Sequence, residues 1–264
     1  MEKNRTLVIG DIHGSLKGLL QCFVRCQYDN QKDKLIFLGD YVDGWSHSSE
    51  LIQYLIDIDK KAKYGTVFLR GNHDKWCEEW LLRGQSPSMW VEQGGKTTID
   101  SYIRTGLLAD EEHRAFFRKL HNYYIDEDNN GFVHGGFISR KGLGHEKYQA
   151  DYYWDRDLWN LALMSHGNKD LKNDVPPKYT RFLKHKEVFI GHTATTNWKC
   201  KPHYPEYVIE KNNKQITIPM NRCNVWNLDT GAGHSGKLTI MDIDTKEYWQ
   251  SDYSSDLYPG EMGR

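Results

Sequence analysis

The chain predicts an α/β protein that opens with alternating strands and helices and continues into a second sheet. Three observations predict it. Lys34–Leu38, Thr6–Ile9 and Thr66–Leu69 are short apolar runs with the length of buried strands. Stretches of helical periodicity separate them. Each run then ends in a glycine followed by carboxylate, amide or imidazole side chains: Gly10-Asp11-Ile12-His13-Gly14, Gly39-Asp40-Tyr41-Val42-Asp43-Gly44 and, after Arg70, Gly71-Asn72-His73-Asp74. Loops of this kind converge at the carboxyl edge of a sheet, where open α/β sheets place their ligands.

A chain of 264 residues can fill one large core, and no Pro-, Gly- or Ser-rich linker divides it, so residues 1–264 read as a single domain. The net charge of -1, from 35 basic and 36 acidic residues, provides no basic field for bulk nucleic-acid binding. The chain enters a strand almost at once, without an apolar signal region, and no stretch is suited to span a bilayer, so no membrane association is expected. Cys22, Cys26, Cys77, Cys200 and Cys223 are odd in number and scattered, which suits a reduced, cytoplasmic protein.

In chain order, Ser15 is a good N-cap for a helix whose stripe is Leu16, Leu19, Leu20, Phe23 and Val24. Cys22 and Cys26 ride it as small core or boundary residues. Leu51, Ile52, Leu55 and Ile56 form a second stripe behind Ser48 or Ser49, and Trp76, Cys77, Trp80 and Leu81 mark a third helix. Crossovers of this length imply parallel strands. Gly95-Lys96-Thr97 looks like the tail of a phosphate-binding loop, but Trp90 stands where that motif needs its first glycine, and no strand leads in. The motif is rejected. Asp110 caps a helix with Glu111 and Glu112 in its first turn and Ala115, Phe116 and Leu120 on its face. Tyr123–Ile125 and Phe132–Val133 flank the hairpin signal Asp128-Asn129-Asn130-Gly131, and the second arm ends in His134-Gly135-Gly136. Residues 140–185 read as an inserted helical cap. Val188–Ile190 is a strand that ends in Gly191-His192-Thr193. Runs at Val225–Leu228, Lys237–Ile243 and Glu247–Gln250 suggest a second, partly antiparallel sheet packed on the first.

Asp11, His13, Asp40, Asn72, His134 and His192 are therefore candidate metal ligands, each a residue or a few beyond an apolar strand. Any one of them alone reads equally well as a turn residue or a satisfied core histidine. Their common placement at strand ends favours a site. Carboxylate, imidazole and amide oxygen together suit Mn²⁺, Fe or Zn²⁺ better than a soft-metal centre. Asp40, in the middle loop, could bridge two ions about 3.5–4 Å apart, the spacing for an in-line phosphoryl displacement.

These motifs together resemble the series found in calcineurin-like metallophosphoesterases, and most closely their phosphoprotein-phosphatase branch, which includes bacterial and phage Ser/Thr phosphatases and symmetric diadenosine tetraphosphatases. The resemblance covers residues 6 to about 80, then His134, His192 and Asn227-Leu228-Asp229-Thr230-Gly231. It implies a metallophosphoesterase-type β-sandwich of mixed sheets flanked by helices, with a helical cap. It also implies that Asp11 and His13 hold one ion, that Asp40 bridges, and that Asn72, His134 and His192 hold the second. His73 becomes the general acid and Asp43 its orienting carboxylate, with metal-bound hydroxide as nucleophile and no covalent intermediate. The implied cofactor is two divalent transition-metal ions, Mn²⁺ first, and the implied substrate is a phosphorylated protein or small phosphate ester.

Two departures stand out. Protein phosphatases of this branch usually follow the second Asp of the middle motif with an Arg that grips phosphate, whereas Gly44-Trp45 stands here. Asp74 replaces their usual Glu and is common in the diadenosine tetraphosphatases. Arg70, before the third motif, and Arg156, in Trp154-Asp155-Arg156, are the candidate substrate-binding arginines; a framework role for Arg70 and a solvated cap position for Arg156 are the bland alternatives. His234, in Gly233-His234-Ser235-Gly236, could face the site from the last sheet turn but reads better as a turn residue. Cys200, His203 and Cys223 make a weak zinc pattern without a CxxC pair. Tyr152, Tyr153, Trp154 and Trp159 either stack on a nucleobase or form the cap's own core. The reading is a phosphomonoesterase of protein Ser/Thr phosphatase type. The alternatives are symmetric dinucleoside polyphosphate hydrolysis and, from another class, a non-catalytic phosphate-binding scaffold.

Overall fold

The computed structural model describes residues 4–165, 180–198, 210–211, 214–215 and 217–264. The first half alternates as expected: β1 (Thr6–Ile9), α1 (Leu16–Cys26), β2 (Lys34–Phe37), α2 (Ser48–Lys61), β3 (Thr66–Phe68) and α3 (Asn72–Arg83). A short helix α4 (Ser88–Trp90) and a π-turn at Val91–Gly95 lead into α5 (Lys96–Thr105), followed by α6 (Glu111–Lys119). The chain goes on through β4 (Tyr123–Ile125), β5 (Gly131–Val133), α7 (Asp151–Trp154), α8 (Asp157–Ser165) and β6 (Val188–Ile190). It closes with β7 (Glu210–Lys211), β8 (Lys214–Gln215), β9 (Met220–Arg222), β10 (Val225–Asn227), β11 (Thr239–Asp242), β12 (Tyr248–Gln250) and α9 (Ser254–Leu257).

Two five-stranded mixed sheets face each other. The first has the order β12-β11-β1-β2-β3 and the second β4-β5-β6-β10-β9. The parallel pairs are β1 with β2, β2 with β3, β5 with β6, and β6 with β10. Side-chain alternation builds the layers. Val8 and Ile36 face inward with Leu69, Phe132, Phe189 and Met241 in a shared inter-sheet core, where the Phe132 and Phe189 rings stack at 5.0 Å. Leu7, Ile9, Leu35 and Phe37 face outward against the helices. On the far side of the second sheet, Val133, Val188 and Val225 pack against Leu158, Trp159 and Ala162 of α8.

The tail corrects the expectation that its strands form one second sheet. β11 and β12 extend the first sheet antiparallel to β1, while β10 joins the second beside β6. All four residues of β11 are buried, so this strand needs cover on both faces, which it has next to β1. In α1 the buried face is Leu19, Cys22, Phe23 and Cys26, whereas Leu20 and Val24 lie at the stripe's edge and are exposed. Ser15 occupies the N-cap position without a side-chain capping bond. Ser48 and Ser49 begin α2 and turn their hydroxyls to Thr98 and Ser101 of α5. Asp110 caps α6 as read, accepting from the His113 N–H at 3.0 Å. The Gly95-Lys96-Thr97 segment is a helix entry, and Gly94 there has φ +98°. Of the expected 140–185 cap, residues 166–179 lie outside the described residues, as do Cys200 and His203.

Candidate metal centre and active site

The carboxyl ends of β1, β2 and β3 in one sheet and of β5 and β6 in the other meet at one edge of the sandwich. The loops there are tightly constrained. His13, Asp40, Asp43 and His192 all have positive φ, at 52°, 52°, 71° and 66°. Left-handed backbone is costly for non-glycine residues and persists where its surroundings enforce it. Here Asp40 O accepts the N–H groups of Ile12 and His13 at 3.0 and 2.9 Å. Asp74, buried at the start of α3, accepts from the N–H groups of Asp40, Gly71 and Tyr41 at 2.7, 2.8 and 2.9 Å. It ties the second loop to the third. Gly71 and Gly191 are required by proximity: a Cβ on either would come within 2.0 Å of Oδ1 of Asp40 or Asp11 respectively.

Two buried donor clusters result, Asp11–His13–Asp40 and Asp40–His134–His192, with Asp40 common to both. Oδ2 of Asp40 lies 3.5 Å from His13 Nε2 and 3.3 Å from His134 Nε2. Asn72 Oδ1 lies 3.3 Å from that same His134 nitrogen. The outer ring nitrogens are fixed by backbone carbonyls. His13 Nδ1–H donates to Val42 O and Asp43 O at 3.0 Å each, and His134 Nδ1–H donates to Leu38 O at 2.9 Å. Each Nε2 therefore points inward to the donor cluster, the orientation metal-binding imidazoles take.

The donor set fits a pair of divalent cations. His13 Nε2, His192 Nε2, Asp40 Oδ2 and Asp229 Oδ2 are buried without a hydrogen-bond partner, a costly arrangement for polar atoms in a protein interior. The electrostatics agree. Burial and the neighbouring Asp229 push the Asp11 carboxyl well above the usual range. Burial works in the same sense on Asp40, but the His134 imidazole overrides it and holds that carboxyl well below its usual range. Burial pulls His13 and His192 well down, as a nitrogen with an available lone pair requires. His134 resists burial because Asp40 and Asp11 push it up to about 9.

Beside the clusters, His73 Nδ1 donates to Asp43 Oδ2 at 2.7 Å, both side chains fully buried. Asp43 is held on every side. Trp90 Nε1–H donates to the same Oδ2 at 2.6 Å, and Thr98 Oγ1–H donates to Oδ1 at 2.6 Å. The Nε2 of His73 accepts from the guanidinium of Arg264. Trp90, Thr98, Asp229 and Arg264 were not singled out as site residues from the sequence. Asp229 alone had a signal, lying within the Asn227–Gly231 motif at the end of β10.

Arg156 reaches the site's rim, where Nη1 donates to His192 O at 3.1 Å and Thr193 Oγ1 at 2.9 Å. The Arg70 guanidinium turns beneath α3 to Glu78 and donates to Phe117 O at 3.0 Å. Among the cap aromatics, Tyr152, Tyr153 and Trp159 are core. Trp154 is 42% exposed and stands against Trp76 and His192, with ring centroids 5.1 and 6.0 Å away.

Residues 4–210 match the family model described as calcineurin-like phosphoesterase. The chain is 24% identical to the symmetrical bis(5'-nucleosyl)-tetraphosphatase of Pseudomonas fluorescens strain SBW25 across 96% of each chain. It is also 24% identical to the PP2A-like serine/threonine-protein phosphatase PPG1 of Candida albicans, over 89% of this chain and 60% of that one. A protein serine/threonine phosphatase from Saccharomyces cerevisiae with similarity to human phosphatase PP5 superposes with a TM-score of 0.59 at 15% identity, covering 99% of this chain and 83% of that one, a likeness of fold. With the family model spanning most of the chain, this protein belongs to the calcineurin-like phosphoesterases, metal-dependent hydrolases of phosphoric esters.

Proposed function

We propose that the chain hydrolyses phosphomonoesters in the manner of a protein Ser/Thr phosphatase, with Asp11, His13, Asp40, Asn72, His134 and His192 holding two divalent ions, Mn²⁺ by preference. The observation that carries the reading is the His73–Asp43 pair at 2.7 Å beside two donor clusters that share Asp40. When bound, the ions supply Lewis acidity toward the phosphoryl oxygens and acidify water. The chain's own residues do the rest. As water adds to phosphorus and the ester P–O bond breaks, the departing alkoxide takes the proton of protonated His73 at Nε2. Asp43 accepts the Nδ1–H throughout, which fixes the tautomer and the orientation of the ring. Arg156 contributes a cationic rim and Arg70 supports the third loop from below. A complete donor set together with an intact acid pair argues against a degenerate phosphate-binding scaffold.

Symmetric dinucleoside polyphosphate hydrolysis is the second reading. It is favoured by the end-to-end alignment with the Pseudomonas relative and by exposed Trp154 beside His192, a surface on which a base can stack. The described cysteines Cys22, Cys26 and Cys77 form no disulfide among the described residues, and no described helix is long and apolar enough to cross a membrane. Thiols left uncrosslinked suit a cytoplasmic setting. The deciding experiment is a turnover panel with Mn²⁺, comparing phosphoserine, phosphothreonine and phosphotyrosine peptides with diadenosine tetraphosphate. Preference for phosphoserine or phosphothreonine peptides is expected. Faster symmetric cleavage of the dinucleotide would select the second reading, and metal-independent turnover would reject both.

A further inference from the structure

Arg264 reaches the site from the far end of the chain, and the strap that carries it is mounted on the loop following Asp43. Glu261 accepts hydrogen bonds from Ser46 N–H at 2.9 Å and Ser46 Oγ–H at 2.7 Å. Tyr258 stacks on Trp45 with ring centroids 5.3 Å apart, and the Trp45 indole N–H is itself held by Ala232 O at 2.6 Å. A Cβ on Gly263 would come within 3.1 Å of the Trp45 ring, so glycine permits the close passage. Arg264 is then clamped by its backbone: its N–H donates to Gly233 O at 2.9 Å, and its carbonyl accepts from His234 Nδ1–H at 2.7 Å.

This clamp aims the side chain inward. One guanidinium nitrogen donates to His73 Nε2, while the buried Nε has no hydrogen-bond partner. A Cβ on Gly233 would sit 3.2 Å from that Nε, and one on Gly94 would sit 3.0 Å from the Arg264 Cβ, so two glycines line its channel. Among the described residues Arg264 makes no ion pair with an Asp or Glu side chain, although Asp11 and Asp229 both feel its charge. Gly44, which offers no side chain, lies near the same Gly233 carbonyl: a Cβ there would come within 3.4 Å of that oxygen. A guanidinium with an unused buried donor, held beside the proposed acid without a carboxylate partner, is suited to an anionic oxygen ligand.

We propose that Arg264 anchors the substrate's phosphate, turning its donors from His73 to the phosphoryl oxygens and supplying the cationic grip for which Gly44 has no side chain. The proposal rests on the phosphoesterase reading above, and its test separates the two. Wild type, Arg264→Gln and Arg264→Lys, each loaded with Mn²⁺, are compared by calorimetric binding of inorganic phosphate and by p-nitrophenyl phosphate kinetics, with metal content and thermal midpoint as controls. Arg264→Gln leaves a shorter, neutral polar side chain without the guanidinium donors, and Arg264→Lys retains the charge without the fork. Arg264→Gln should weaken phosphate binding about 10- to 100-fold and raise KM in parallel, with Arg264→Lys between it and wild type and both controls unchanged. Equal phosphate affinity in wild type and Arg264→Gln, or no phosphate binding by wild type, overturns the proposal. Faster turnover by Arg264→Gln also overturns it, because the side chain would then be obstructing the site. Wild type that binds phosphate through Arg264 but hydrolyses nothing would uphold the anchor and reject the phosphoesterase reading.

Discussion

Trp90 and His73 donate to the same oxygen of Asp43, at 2.6 and 2.7 Å, so an indole 47 residues from Asp43 helps hold the carboxylate that orients the proposed acid. Trp90 is fully buried and its ring packs against Trp80 at 5.7 Å. Trp90→Phe keeps most of that packing and removes the N–H. Turnover of an alkyl phosphate should fall about tenfold, the worth of a hydrogen bond to a charged group. Unchanged turnover in a variant that melts normally would show that Thr98 and His73 suffice to hold Asp43.

An acid that protonates the departing oxygen matters most when that oxygen is a poor leaving group. His73→Ala should lose about 10²–10⁴-fold on a phosphoserine peptide and distinctly less on p-nitrophenyl phosphate. Metal content should be unchanged, because the His73 ring bonds Asp43 and belongs to neither donor cluster. Asp43→Asn should give the same pattern more mildly. Equal losses on both substrates, or loss of metal, would assign His73 to the framework.

Asp40 belongs to both donor clusters and His13 to one. Asp40→Asn should therefore lower the occupancy of both ions, while His13→Ala should chiefly empty one. Elemental analysis of the purified variants measures this directly. Equal metal loss in the two would remove the bridging assignment.

Proton release should accompany metal binding. Burial disfavours a charged His134, yet Asp40 and Asp11 push it up to about 9, so at pH 7 the metal-free chain holds this imidazole protonated. A ligand nitrogen must give up its proton. Metal affinity should consequently weaken on acidification below about pH 9, by about tenfold per pH unit for one proton. Because the folded pKa lies above the ordinary value of about 6.5, His134 stabilises the metal-free fold fully below that pH, and the contribution disappears as pH rises through about 9. Calorimetry in buffers of different ionisation enthalpy counts the protons released. Affinity independent of pH between 6.5 and 8 would contradict this.

What the sequence determined alone is the three-fold strand-loop-helix plan and the candidate donor residues at the strand ends. Each loop is specified locally, by a few apolar residues that need burial and a glycine that lets the chain turn close to its neighbours. Gly71 and Gly191 show the limit of that reading: their spacing was visible, but the reason, Asp40 and Asp11 pressed against them, required the fold. β10 and β11 are apolar runs with the same local signal, yet one enters the second sheet and the other the first. Pairing depends on which partner can cover both faces, and no short window contains that information. Trp154 and Trp159 belong to one aromatic segment, and only packing sends Trp159 into the core and leaves Trp154 beside His192. Arg264 is the extreme case. It meets His73 across 191 residues of chain, carried there by a strap whose fastenings to Trp45 and Ser46 exist only once both ends of the protein have folded together.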